Sequence, residues 1–97
     1  AVKAAYEMEG PVYLRFGRLA VPVINDREDY KFEIGKGVVL KEGTDLTLIA
    51  TGLEVAESLA AAEKLEADGI SVEVINMHTI IMFLNIQVVE IYDISIL

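Results

Sequence analysis

A chain of 97 residues with 16 acidic and 8 basic side chains carries a formal charge of -8 and a pI near 4.5. Its length suffices for one small domain, burying on the order of 60–65% of the unfolded surface, and leaves no room for a second complete one. A field of this sign repels polyphosphate and anionic lipid, so neither nucleic acid nor a membrane surface is an expected partner. The lack of cysteine excludes a disulfide framework and a thiolate metal site, and a single histidine argues against zinc. The opening AVKAAYEMEG has neither the basic end nor the apolar run of a signal peptide, so a cytoplasmic protein is expected.

In chain order, residues 1–8 are alanine-rich with no cap ahead of them and read as the last turns of a helix whose beginning is missing. Glu9, Gly10 and Pro11 stop it, because proline cannot continue a helix. Residues 12–16 alternate as a strand, with Val12, Leu14 and Phe16 on one face and Tyr13 and Arg15 on the other; Gly17 and Arg18 end it. The pattern weakens over residues 19–33, where Pro22 disfavours a central strand and NDREDY has no periodicity, so this stretch reads as a linker. Gly35, Lys36 and Gly37 bend the chain before a small hairpin or extended edge at 38–40, and Glu42 with Gly43 turns it again.

The most organised stretch follows. Residues 46–50 are almost purely apolar, the pattern of a parallel strand buried on both faces. Thr51 and Glu54 have the spacing of a capping box, in which each side chain satisfies an orphan amide at the helix start. Val55, Leu59, Ala62 and Leu65 then form one helical stripe, with Glu54, Glu57, Ala61, Lys64 and Asp68 opposite. Gly69 permits a Schellman-type stop that folds Ile70 back towards Leu65. Residues 71–75 form the next strand, and two strands joined by a helix of this length predict a right-handed parallel crossover. The tail, 81–97, is apolar without helical spacing. Asn85, Gln87, Glu90 and Asp93 interrupt it too often for a membrane span, so it reads as core or interface with one strand within 87–95.

Few residues invite chemistry. Gly35-Lys36-Gly37 begins like a dinucleotide fingerprint, but Leu40 stands where the third glycine belongs and a strand follows. Thr51-Gly52 reads as an ordinary capped turn before it reads as an anion site. His78 has no second histidine or cysteine, and no nearby serine, so it reads as structural. Arg15 and Arg18 flank a strand end of the kind where ligands of open α/β sheets bind, and two guanidiniums there could hold a phosphate; solvated or ion-paired arginines are the alternative.

In GPVYLRFGR (10–18), FEIGKGVVLKEGTDLTLIATG (32–52) and INMHTI (75–80) the chain resembles the carboxyl-terminal half of a transketolase, in particular the split form whose carboxyl-terminal section is a separate polypeptide. Deoxyxylulose-phosphate synthase and the β-subunits of 2-oxo-acid dehydrogenases share the pattern. The resemblance implies an α/β fold: residues 1–24 end a pyrimidine-binding domain, 25–35 link, and 36–97 begin a three-layer carboxyl-terminal domain with a mostly parallel sheet. It implies ketol transfer between sugar phosphates with thiamine diphosphate and Mg2+, an amino-terminal partner section, and an oligomer. The coenzyme-activating acid and the magnesium motif of such families fall outside this chain, so no catalytic or metal residue is assigned to it and the isolated chain is expected to be inactive. Arg18 matches the arginine that contacts the substrate phosphate in transketolases, and Arg15 matches a second arginine of the synthases. Relatives continue INMHTI with a lysine-proline stretch, whereas Ile81, Met82, Phe83 and Leu84 follow here, and the pattern is lost. A non-catalytic module that holds subunits together is the alternative of another class.

Overall fold

The computed structural model describes residues 1–81 and 87–91. The element order is α1 (Val2–Glu7), β1 (Val12–Phe16), β2 (Val38–Lys41), β3 (Leu46–Ala50), α2 (Glu54–Ala67), β4 (Val72–Asn76), β5 (Thr79–Ile81) and β6 (Gln87–Ile91). The strands form two three-stranded sheets, ordered β2-β4-β3 and β1-β6-β5.

In the first sheet β3 and β4 are parallel, with Leu46 opposite Val72, Leu48 opposite Val74 and Ala50 opposite Asn76. The α2 crossover between them is the unit expected from the alternation of strand, helix and strand. Val72, Val74 and Asn76 are buried while Glu73 and Ile75 are half-covered, the two-residue period of a strand with one face against a helix. From α2, Val55 and Ala62 are buried, and Leu59 and Leu65 pack with Leu48 around Ala62, Val72 and Val74. Glu54, Glu57, Ala61, Lys64 and Asp68 lie exposed on the far side as the stripe required. Acidic residues in the first turn and Lys64 in the last complement the helix dipole. At the end of α2 the Ile70 N–H reaches Leu65 O (3.0 Å) and the Gly69 N–H reaches Glu66 O (2.9 Å), with Gly69 at φ +84°. This is the Schellman geometry that the glycine permits.

Three expectations are corrected. Strand β3 is not buried on both faces: it is an outer strand, and Leu46 and Ile49 are 42% and 64% exposed. Of the hairpin and the extended edge expected at 38–40, the edge is the one that forms, with β2 pairing antiparallel to β4 and not to β3. The sheet is accordingly mixed, one parallel and one antiparallel pairing, because the β2–β3 connection spans the width of β4 rather than crossing over through a helix. The capping box does not form either. Gly52 at φ +63° inserts a turn, the Val55 N–H bonds Gly52 O at 3.3 Å, and Leu53 takes the N-cap position with Thr51 two residues ahead of it.

The connection into β3 is tightly specified. The Ser71 N–H donates to Asp45 Oδ2 (2.8 Å), the Thr44 N–H donates to Ser71 Oγ (3.1 Å), and the Asp45 N–H reaches Ser71 O (2.9 Å). This brings Gly43 so close to β4 that an added Cβ would stand 2.1 Å from the Val72 carbonyl carbon and 2.2 Å from the Glu73 nitrogen. On the face away from α2, Val39, Ile75 and Ile49 form a cross-strand apolar row beside the Thr47 hydroxyl, which donates to Glu73 Oε2 at 3.0 Å. Among the described residues this face carries no helix.

The second sheet joins β1 to β6 in parallel, Val12 opposite Gln87 through Phe16 opposite Ile91, and β6 to β5 antiparallel. Both α1 and β1 fall where the sequence places them. The strand expected within 87–95 is present as Gln87–Ile91. Its continuation, and the reading of the tail as core or interface, lie outside the described residues.

Two consequences are measurable by urea unfolding followed by circular dichroism. Gly43→Ala should cost about 2 kcal/mol or more, because the clash is with backbone rather than with a mobile side-chain end. Val74→Ala should cost roughly 2–3 kcal/mol through lost burial and a cavity, whereas Ile49→Ser on the open face should change stability by less than about 0.5 kcal/mol.

Candidate functional site

Arg18 lies exposed two residues beyond the end of β1, past Gly17. Because β1 and β6 are parallel and Phe16 faces Ile91, the carboxyl ends of two strands meet at this edge. That is the edge at which ligands of parallel sheets are ordinarily held. Among the described residues no carboxylate pairs with Arg18. Arg15 is also exposed but is already engaged within the chain, within the strand rather than beyond its end. The two arginines therefore share one stretch of backbone in different states: Arg18 is exposed with no carboxylate partner among the described residues, and Arg15 already holds a contact within the chain.

The segment between the sheets, expected as a plain linker, is a strap fixed at both ends. The Arg27 guanidinium forks onto Asp29, Nε to Oδ1 at 3.0 Å and Nη2 to Oδ2 at 2.6 Å, while Nη1 donates to Leu40 O at 2.9 Å. Leu40 sits where the β2–β4 register shifts between Val39 and Lys41, so the irregular strand offers its carbonyl to the strap. The hydrogen bond from Arg27 holds the Asp29 carboxyl below its ordinary range. Further on, Glu33 is held low by Lys36 and then Lys31, which flank it as ion pairs. Lys36 is thus occupied, Gly35 has φ +87°, and β2 follows, which leaves no phosphate cradle at Gly35-Lys36-Gly37.

Phe32 closes the strap over His78. The ring centroids are 4.3 Å apart and tilted by 32°, and His78 is only 5% exposed. Nδ1 lies 2.9 Å from Thr79 Oγ1, while Nε2 is buried with no hydrogen-bond partner. Burial lowers the imidazole pKa, so the ring is neutral at pH 7. Sequence reasoning treated His78 as structural without finding its partner. Phe32 lies far away in sequence and in a segment without periodicity, so no local signal joins the two.

Among the described residues no three His, Asp or Glu side chains are grouped so as to hold a metal ion. No described helix is long and apolar enough to cross a membrane.

Comparison with known proteins places this geometry. Residues 35–91 match the family model described as "Transketolase, C-terminal domain", and the chain belongs to that family. It is 48% identical over 80 residues to a protein of Methanocaldococcus jannaschii named for the transketolase C-terminal section, covering 81% of this chain and 25% of that one. It is 49% identical over 72 residues to the 6-deoxy-6-sulfo-D-fructose transketolase subunit of a Clostridium species, covering 74% of this chain and 22% of the relative. The pyruvate dehydrogenase E1 β-subunit of Staphylococcus epidermidis is 60% identical over a shorter span of 53 residues, 55% of this chain and 16% of that protein. A solved structure described as a split-gene transketolase, an inactive β4 tetramer, superposes with a TM-score of 0.72 at 51% identity, over 78% of this chain and 25% of that one. The chain therefore spans between 16% and 25% of the length of these relatives.

The strap clasp is testable by itself. Arg27→Ala should accelerate hydrogen exchange of amides 28–36 while leaving those of β4 unchanged, and equal rates in wild type and variant would show that the fork does not hold the strap.

Proposed function

We propose that this chain is part of the carboxyl-terminal section of a split transketolase that moves a two-carbon ketol unit between sugar phosphates. The observation that carries the reading is the match of residues 35–91 to the transketolase C-terminal domain, joined to relatives that are themselves sections or subunits of transketolases. In this reading residues 1–24 end the pyrimidine-binding domain, 25–35 are the strap described above, and 36–97 belong to the carboxyl-terminal domain. Thiamine diphosphate with Mg2+ supplies the carbanion chemistry and is bound by polypeptide outside this chain, including an amino-terminal section acting as partner. This chain contributes substrate recognition. Arg18, exposed at the carboxyl ends of β1 and β6, offers a planar pair of donors to the phosphate of the sugar, and Arg15 is a second donor once released from its present contact.

A second reading is favoured by a different observation. Val2, Tyr6, Tyr13, Phe16, Leu19 and Val23 are each between 49% and 90% exposed, so the first quarter of the chain presents an apolar surface that suits burial against another polypeptide. With the β4 assembly of the structural relative, this supports an oligomer in which the α/β unit mainly holds subunits together. The equivalent part of a 2-oxo-acid dehydrogenase β-subunit is the nearest enzymatic alternative, supported by the identity over 53 residues.

Ketol transfer from xylulose 5-phosphate should appear only when the section containing this chain is combined with its amino-terminal partner; activity from these 97 residues alone would refute the division of labour. In the complete enzyme, Arg18→Ala should raise KM for phosphorylated substrates roughly tenfold or more with a smaller effect on kcat, the loss of one charge-assisted contact. An unchanged KM removes Arg18 from the site. Decarboxylation of a 2-oxo acid in place of ketol transfer selects the dehydrogenase reading.

A further inference from the structure

We infer that the strap, residues 25–35, is latched onto the molecule by the neutral imidazole of His78 and opens when that ring takes up a proton. The inference does not depend on the proposed function. It rests on three features of one spot: the Phe32 ring seated on the imidazole at 4.3 Å, the 5% exposure of His78, and the sealed, unpartnered Nε2. Either neutral tautomer satisfies Nδ1 through the Thr79 hydroxyl, as donor or as acceptor, and leaves Nε2 bare. The imidazolium cannot be satisfied in this way. Both nitrogens must then donate, and the proton on Nε2 points into a site with no acceptor among the described residues.

The described residues around the ring give the cation no relief. From β5 the facing group is the uncharged Thr79. From the strap, the neighbours of Phe32 are Lys31 and Glu33, and Glu33 is already paired with both Lys31 and Lys36. The other buried oxygen of the strap, Asn25 Oδ1, has no partner either and so does not accept from Nε2. Hydration is the remaining way to accommodate the charge, and water reaches the ring once Phe32 lifts. The Arg27 clasp onto Leu40 O lies at the other end of the strap and does not titrate in this range, so opening begins at Phe32 and hinges towards Arg27.

The direction with pH follows from the sign of the shift. The docked ring has a lowered pKa and the released ring an ordinary one near 6.5, so the released state binds the proton first. Docking is therefore at full strength above about pH 6.5 and weakens as pH falls from there towards the docked value. One pH unit below the ordinary value, linkage permits at most about a tenfold loss.

Because His78 is the single histidine, its ring resonances can be followed by NMR without assignment ambiguity, alongside hydrogen exchange corrected for intrinsic rates. The expected result is a His78 midpoint below 6.5, with protection of amides 28–36 falling several-fold between pH 7.5 and 5.5 while β4 keeps its protection. In His78→Gln the protection of 28–36 should no longer depend on pH in this range. Phe32→Leu, which keeps an apolar cover but removes the ring, should move the His78 midpoint up towards 6.5 and serves if the glutamine variant does not fold. A midpoint at or above 6.5 in the wild type, or strap protection that stays constant while His78 titrates, would overturn the latch.

Discussion

Everything described here leans on the two valines of β4 pressed into the underside of α2. Val72 and Val74 are fully buried with Ala62 of the helix, and the small side chain of Ala62 lets helix and sheet approach closely. Around that contact β4 receives β3 on one side and β2 on the other. Burial of a few aliphatic groups is a modest driving force, each worth on the order of 1.5–3 kcal/mol when fully covered. The same small core must therefore be supported by the polar ties at its rim: the exchange between Asp45 and Ser71, the Gly69 helix stop, and Lys41, which reaches Glu66 of α2 at 2.7 Å.

How far this was legible in the amino-acid order depends on whether the determining contacts are local. The helix stripe, the Schellman stop at Gly69, strand β1 and the parallel pairing of β3 with β4 depend on spacing within a few residues or on the strand-helix-strand rhythm, and they stand where the pattern puts them. The burial of β3 was misjudged because an apolar run records what a strand tolerates and not which neighbours arrive to cover it. Ile49 is as apolar as Val74, yet one is open and the other enclosed. Thr51 and Glu54 had the right spacing for a cap, but Gly52 could equally well turn the chain, and backbone freedom prevailed over side-chain capping.

The region between the sheets shows the same limit in a different form. Its polar composition reads as a loop, and it is irregular, but Arg27, Phe32 and Glu33 give it fixed anchorage through contacts that no periodicity reports. Arg18 was singled out by type and by position at a strand end, and its resemblance to a transketolase arginine sharpened that choice. It lies exposed beyond the end of β1, while Arg15, equally eligible on the sequence, is already occupied by an intramolecular contact.

The strand order carries one last implication, for how the domain is made. Both β2 and β3 hydrogen-bond to β4 and not to each other, although they precede it in the chain. During synthesis, a nascent polypeptide that has emerged only as far as residue 71 holds two ribbons with nothing to bridge them and a helix with nothing beneath it. Assembly of this sheet must wait for the five residues of β4 to clear the ribosome, and until then the apolar edges of both ribbons are available to the wrong neighbour.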